Sequence, residues 1–322
     1  MLSNVKGHKR VISYFRETLA TQGEFPTCLL FHGPDGVGKH TLAVSLAKVL
    51  NCSRDKSASC ECLSCRKIDG GHHLDVLQYE PDGNTFKIDQ VRDLLVEADQ
   101  NRKEGEYRIF ILDDIHLLNA QSADALLKTL EDGRPDTVFI LLATSRSEIV
   151  PTLLSRSLDF YMGRLSYEEV LSVLSMKGHR GVTAQEAARL SSGSVSTALF
   201  YLDGPGFEIR NDALSLLQDY PKVNDFQVIM KLNDYEGDRL YELIDAVYVL
   251  LSDLCVAQRG LTLFIQNQDQ EQRICALSDR LGPQCFNAFC EVRDLRQRRA
   301  ESVAFAHHAK ATLLNLKDVF RA

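Results

Sequence analysis

An α/β domain built on a parallel sheet, continued by helices alone, is the fold that the sequence predicts, and two patterns carry the prediction. Between residues 27 and 162, short β-rich runs alternate with apolar residues at helical spacing, the pattern of parallel strands joined by crossover helices. After Gly163 the strand pattern stops and apolar residues recur only with helical period. A length of 322 residues exceeds what one hydrophobic core usually serves, so two or three domains are expected.

The strands are placed at 27–31, 75–79, 108–112, 138–143 and 158–161. Between them, 39–50, 88–98 and 122–130 carry apolar residues at helical spacing, so each can cover a face of the sheet. Ser166 with Glu169 and Thr183 with Glu186 read as capping boxes, each opening a short helix. Gly204, Pro205 and Gly206 read as a linker. Beyond them Leu240, Leu243, Ile244, Val247, Leu250, Leu251 and Leu254 share one helical face. The expected domains are 1–163, 164–204 and 205–322.

Hydrophobic residues at 44% with charged residues at 25% describe an ordinary globular chain and exclude fibrous and disordered classes. Against 37 basic residues stand 44 acidic ones, a net charge of −7. No whole-protein positive field favours nucleic acid, so any DNA contact must be local or shared. The basic run Arg293, Arg296, Arg298 and Arg299 on a helix is most simply a solvated face. The first fourteen residues lack the apolar centre of a signal peptide, and the longest apolar runs, 109–112 and 138–143, are too short to span a bilayer. A cytoplasmic location is expected, where the nine cysteines would be reduced.

Gly33-Pro34-Asp35-Gly36-Val37-Gly38-Lys39 follows an apolar strand and precedes a helix. There, backbone N–H groups and a lysine can cradle phosphates. A glycine-rich turn with an incidental lysine is the plainer alternative, and the strand–loop–helix context weighs against it. His40 stands where a Ser or Thr hydroxyl would ligate magnesium. Asp113 ends a second apolar strand, where the acidic partner of Mg²⁺ belongs. Asp114 takes the place of a catalytic glutamate and is one methylene shorter, so its carboxylate sits about an ångström back, a displacement that can cost about a hundredfold in rate.

Cys52, Cys60, Cys62 and Cys65 form a cluster whose thiolates suit tetrahedral zinc. The single residue between Cys60 and Cys62 strains chelation, and His72 or His73 could replace Cys60. Four filled positions would leave no room for substrate, so such a zinc is structural.

In three segments the chain resembles bacterial clamp-loader AAA+ subunits: Asp113-Asp114-Ile115-His116-Leu117-Leu118, Ala125-Leu126-Leu127-Lys128-Thr129-Leu130-Glu131, and Pro151-Thr152-Leu153-Leu154-Ser155-Arg156-Ser157. Gly7-His8, Gly193-Ser194 and Ala198-Leu199 are also similar to the family, while the final third matches only in length and helicity. The resemblance implies an AAA+ P-loop domain with a zinc insertion, a small helical lid and an all-α collar. It also implies nucleotide-site roles for Gly33, Gly36, Gly38, Lys39, His40, Asp113, Asp114 and Thr144. Arg156 becomes an arginine finger offered to a neighbour's ATP, and Ser196 falls where an active subunit has its sensor arginine. Two kinds of member share this layout, an ATP-hydrolysing tau/gamma-like motor and a delta-prime-like stator. His40, Asp114 and Ser196 favour the stator, with ATP or ADP held without efficient hydrolysis. The partners implied are the tau/gamma and delta subunits, and, through the complex, the sliding clamp and primer-template DNA. A zinc-stabilised nucleotide module unrelated to replication is the reading from another class.

Overall fold

The structure is a computed structural model and describes the chain except residues 1, 3, 22–24, 84, 119, 132–133, 221, 298–304 and 321–322. Five parallel strands, β1 (Cys28–His32), β2 (Val76–Tyr79), β3 (Arg108–Leu112), β4 (Thr137–Ala143) and β5 (Leu158–Tyr161), form one sheet in the order β2-β3-β4-β1-β5. β1, β3 and β4 are buried along their whole length, which is why they read as unbroken apolar runs and not as alternating ones.

Each face of the sheet is closed by helices. α1 (Lys9–Ala20) and α2 (Lys39–Asn51) place Phe15, Leu42 and Leu46 on the face carrying Phe31, Ile109 and Ile140. After α3 (Leu63–Asp69), α4 (Ile88–Asp99) and α5 (Ala120–Glu131) cover the other face, where Leu94 and Leu126 share a core with Leu30, Phe110 and Leu141. The observed elements differ from the expected ones by one or two residues at their ends.

Helices continue with α6 (Pro151–Leu154), α7 (Tyr167–Met176), α8 (Val182–Leu190), α9 (Val195–Asp203), α10 (Gly206–Asp219), α11 (Asp225–Asn233), α12 (Asp238–Ala257), α13 (Glu271–Leu281), α14 (Gln284–Gln297) and α15 (Phe305–Val319). The Ser166 box forms reciprocally: the Glu169 amide donates to Ser166 Oγ at 3.2 Å and the Ser166 amide to Glu169 Oε2 at 2.9 Å. The Thr183 box does not form, because α8 begins one residue earlier behind Gly181, whose φ of 84° starts the turn without a side-chain cap. Gly204-Pro205-Gly206 is a tight break and not a linker, since α10 already starts at Gly206.

Two compact units result, residues 1–176 with 192–196, and residues 177–191 with 197–322. The division falls inside the stretch 164–204 that the sequence reading sets apart. In the second unit α12 is the central helix, packed on α10, α13 and α14 through Leu243, Val247, Leu251 and Leu254. Arg293 pairs with Asp294 at 2.9 Å, and Arg296 pairs with Asp245 at 2.6 Å while stacking on Tyr248. Both described arginines of the basic run are thus held by local partners; Arg298 and Arg299 lie outside the described residues. No described helix is long and apolar enough to cross a membrane.

A buried ion pair locks the edge of the sheet. Asp75, fully buried before β2, accepts N–H bonds from Lys103, Glu104 and Gly105 at 2.6–2.9 Å and from the Arg108 guanidinium at 2.9 Å. Arg108, 1% exposed at the start of β3, also bonds the Glu97 carbonyl at 2.9 Å and pairs with its carboxylate. Burial alone would raise the Asp75 carboxyl, but the three amides and Arg108 outweigh it and hold it below the ordinary carboxylate range. Replacing Asp75 by Asn should cost about 3–5 kcal/mol at neutral pH, the usual penalty for breaking a buried pair, read by denaturant unfolding. A lowered folded-state value means that this stabilisation is complete above the unfolded carboxylate value and disappears as pH falls through the folded one. The gap between wild type and Asp75→Asn should therefore narrow on acidification below the ordinary carboxylate range.

Candidate functional site

The loop from Gly33 to Lys39 joins β1 to α2, and its shape depends on three glycines with φ of 148°, 72° and 102° at Gly33, Gly36 and Gly38. Space as well as φ excludes side chains at the first two. A Cβ on Gly33 would lie 2.0 Å from the Met162 carbonyl, and one on Gly36 would lie 2.0 Å from Ser196 Oγ and 2.3 Å from Ser194 Oγ. Lys39, 8% exposed, folds its ammonium back on the loop, donating to Gly33 O at 2.7 Å and Pro34 O at 3.0 Å beside the Asp35 carboxylate at 3.3 Å. The loop is braced from outside: the Val195 amide donates to Gly36 O at 2.8 Å, and His8 Nε2 donates to Val37 O at 2.8 Å.

His40 does not turn into this cradle. Its ring is exposed and Nε2 reaches Gln78 Oε1 on β2 at 3.0 Å, so nothing at this position offers a magnesium-binding hydroxyl. Parallel strands end on one edge, and the order β3-β4-β1 brings Asp113, Thr144 and Gly33 to neighbouring strand ends. One Asp113 oxygen accepts the Asp114 amide at 3.0 Å. Asp114 adopts the left-handed conformation at φ 46°, and burial together with the Asp113 charge pushes its carboxyl up. Thr144 donates to Glu148 Oε2 at 3.1 Å, and Ser145 caps the turn Arg146–Glu148. The hydroxyl best placed at the end of β4 is therefore already committed to a carboxylate.

Arg156 sits in the turn between α6 and β5, half-exposed, bonded to Thr152 O and Ser155 Oγ at 3.2 Å and paired with Glu131 of α5. An exposed pair of this kind contributes little to stability, so the guanidinium can leave Glu131 for a stronger anion.

The four cysteines converge. Cys52 ends α2, Cys62 precedes α3, Cys65 lies on α3, and Cys60 is brought in by a turn in which its amide donates to Ser57 O at 3.0 Å after Lys56 at φ 48°. All four are buried and their sulfurs lie within 4.8 Å of one another. A tetrahedral site with Zn–S of about 2.3 Å needs sulfurs roughly 3.8 Å apart, so the donor set fits a four-thiolate metal site. Hydrogen bonds from Ser53 and the Cys65 backbone pull the Cys62 thiol down, while burial pushes the Cys65 thiol up. His73 is not available to such a metal: Nδ1 accepts the Asp75 amide at 3.1 Å, so Nε2 carries the proton and donates to Ser64 Oγ at 3.1 Å. His72 is exposed, and Cys60 completes the cluster.

The family profile described as "DNA polymerase III, delta subunit" matches residues 7–165. The tau subunit of DNA polymerase III from Escherichia coli K12 is 32% identical over 257 residues, 76% of this chain and 40% of the relative. The delta-prime subunit from Pseudomonas aeruginosa is 36% identical over 131 residues, 39% of this chain and 40% of the relative. The chain belongs to the clamp-loader family of DNA polymerase III subunits. It spans about 40% of the length of the tau relatives it matches. A DNA polymerase III gamma subunit-related protein from Thermotoga maritima matches in fold over 96% of this chain and 98% of its own, with a TM-score of 0.52 at 16% identity.

Four contacts at this site involve groups that no sequence pattern pairs. Glu131 as the partner of Arg156, Glu148 as that of Thr144, and His8 and Val195 as braces of the loop lie 4 to 159 residues from the groups they touch. Gly7-His8 carried a local signal, as did Gly193-Ser194 directly before Val195.

Proposed function

We propose that the chain is a delta-prime-like stator of the DNA polymerase III clamp loader. In this reading it assembles with tau/gamma and delta subunits, donates Arg156 to the ATP of the adjoining subunit, and helps the complex place the sliding clamp on primed DNA. The observation that carries the proposal is His40, whose ring lies on Gln78 where an active site needs a hydroxyl toward magnesium. Asp114 and Ser196 support it from either side of the loop. Phosphoryl transfer is driven mostly by stabilising developing charge, and an acid one methylene short together with a serine in place of a cation leaves that charge poorly met. The loop itself, with Lys39 and its three glycines, can still hold ATP or ADP.

The intact lysine and the length of the match to the tau subunit, 257 residues, favour a second reading, a tau/gamma-like motor. The two differ in which residue the loader's turnover depends on. An arginine finger contributes about 10³ to 10⁵ in rate at the site it completes. In a reconstituted loader, Arg156→Ala is expected to remove hydrolysis at the adjoining subunit while Lys39→Ala changes turnover far less, measured as phosphate release. Abolition by Lys39→Ala with a silent Arg156→Ala would establish the motor instead.

In the stator reading the cysteine cage holds one structural zinc, with Cys52, Cys60, Cys62 and Cys65 as its ligands. Protein purified without chelator should carry about one zinc per chain, and Cys65→Ser should lose it together with thermal stability. Metal analysis that finds none, with folding indifferent to chelator, would remove the zinc from this account.

A further inference from the structure

Lys39 has no proton left over for a ligand. An ammonium carries three N–H groups, and the loop meets them with three acceptors of its own: Gly33 O at 2.7 Å, Pro34 O at 3.0 Å and Asp35 Oδ1 at 3.3 Å. The lysine side chain is 9% exposed and that of Asp35 79%, so little water reaches the donors although the carboxylate itself stands in solvent. Two of the acceptors are backbone carbonyls that any sequence would offer. The third is an anion, and it comes from a position that the phosphate-loop pattern leaves open. Gly36 and Gly38, at φ 72° and 102°, bend the chain between Asp35 and Lys39 so that the two side chains meet. The lysine of such a loop serves the β- and γ-phosphates of a nucleotide, and an anionic oxygen against it is what those phosphates would supply. Burial, then the Asp113 charge and in smaller part the Asp35 charge raise the Asp114 carboxyl, so the Asp35 charge also reaches the edge where β3 ends.

We infer that Asp35 is an internal stand-in for phosphate, whose carboxylate holds Lys39 folded back and thereby sets how tightly the loop takes ATP or ADP. This rests on the part of the stator reading in which the loop can hold either nucleotide. A nucleotide gains Lys39 only after the pair with Asp35 opens, so its apparent affinity is lowered by the fraction of chains in which the pair is closed. An ordinary surface ion pair is the plainer alternative, and it would leave no trace on nucleotide binding. The lysine end of the pair weighs against that. In a solvated pair both partners are exposed, whereas here one is buried with every donor in use. A residue without charge at position 35 frees one donor of Lys39 for phosphate, and a longer acid keeps it occupied.

The test is fluorescence titration of the full chain with mant-ATP and mant-ADP in the presence of Mg²⁺, for wild type, Asp35→Ala, Asp35→Glu, Lys39→Ala and the double variant Asp35→Ala/Lys39→Ala. Position 35 is exposed, and an unchanged thermal midpoint checks the fold. Asp35→Ala is expected to tighten both nucleotides about three- to tenfold, and Asp35→Glu to stay within about twofold of wild type. In the Lys39→Ala background the gain from Asp35→Ala should vanish, because there is no pair left to open. Equal affinity of wild type and Asp35→Ala overturns the inference, as does absence of binding by every variant at millimolar nucleotide. A gain of the same size without Lys39 also overturns it, since the carboxylate would then act on phosphate and not on the lysine. So does a gain in Asp35→Glu equal to that in Asp35→Ala, which would make charge irrelevant. Phosphate release by Asp35→Ala above buffer would count against the stator reading and leave the inference standing, whereas unchanged affinity without release would do the reverse.

Discussion

β1 lies between β4 and β5 with every residue buried, and the chemistry of the first unit follows from where that strand stops. Hydrogen bonding to both neighbours fixes its direction and register, with His32 opposite Ala143 and Tyr161. The chain must then leave the sheet at Gly33, against the Met162 carbonyl, in a space that admits no Cβ. From there the loop turns into α2 at the edge where β3 and β4 also end. A parallel sheet imposes this convergence whatever residues it is given, so the loop and the ends of β3 and β4 meet at one edge whichever residues stand at 40 and 114.

In the stator reading proposed above, that geometry lets one chain keep a phosphate loop without a motor's groups. The glycines and Lys39 serve the fold as well as any ligand: Lys39 satisfies loop carbonyls, and Gly36 makes room for Ser194 and Ser196. His40 is exposed and meets Gln78 of β2. Arg156 lies under a different constraint. It is tied to a surface carboxylate and to groups of its own turn, contacts that contribute little to stability. Such loose tethering is compatible with the finger role proposed above.

Much of this was legible in the sequence, for local reasons. Strand ends, the loop and α2 are specified by contiguous patterns, and the reading placed them within one or two residues. Four cysteines within fourteen positions named the cage, but the choice between Cys60 and a histidine was not local. It was decided by the Asp75 amide and Ser64, which occupy both nitrogens of His73. Thr183 misled because a cap needs non-helical backbone, and Gly181 with its positive φ began α8 first. Arg108 read only as the first residue of a strand, since nothing near it announces Asp75, 33 positions earlier, as its buried partner.

A stator of the kind proposed above does not run phosphoryl transfer at its own phosphate loop. Single-turnover phosphate release by the isolated chain with Mg²⁺ and ATP measures it without any partner's contribution. The account predicts release no faster than buffer, and the same for Lys39→Ala. Release clearly above buffer that disappears in Lys39→Ala would show the site to be an ATPase and contradict the account.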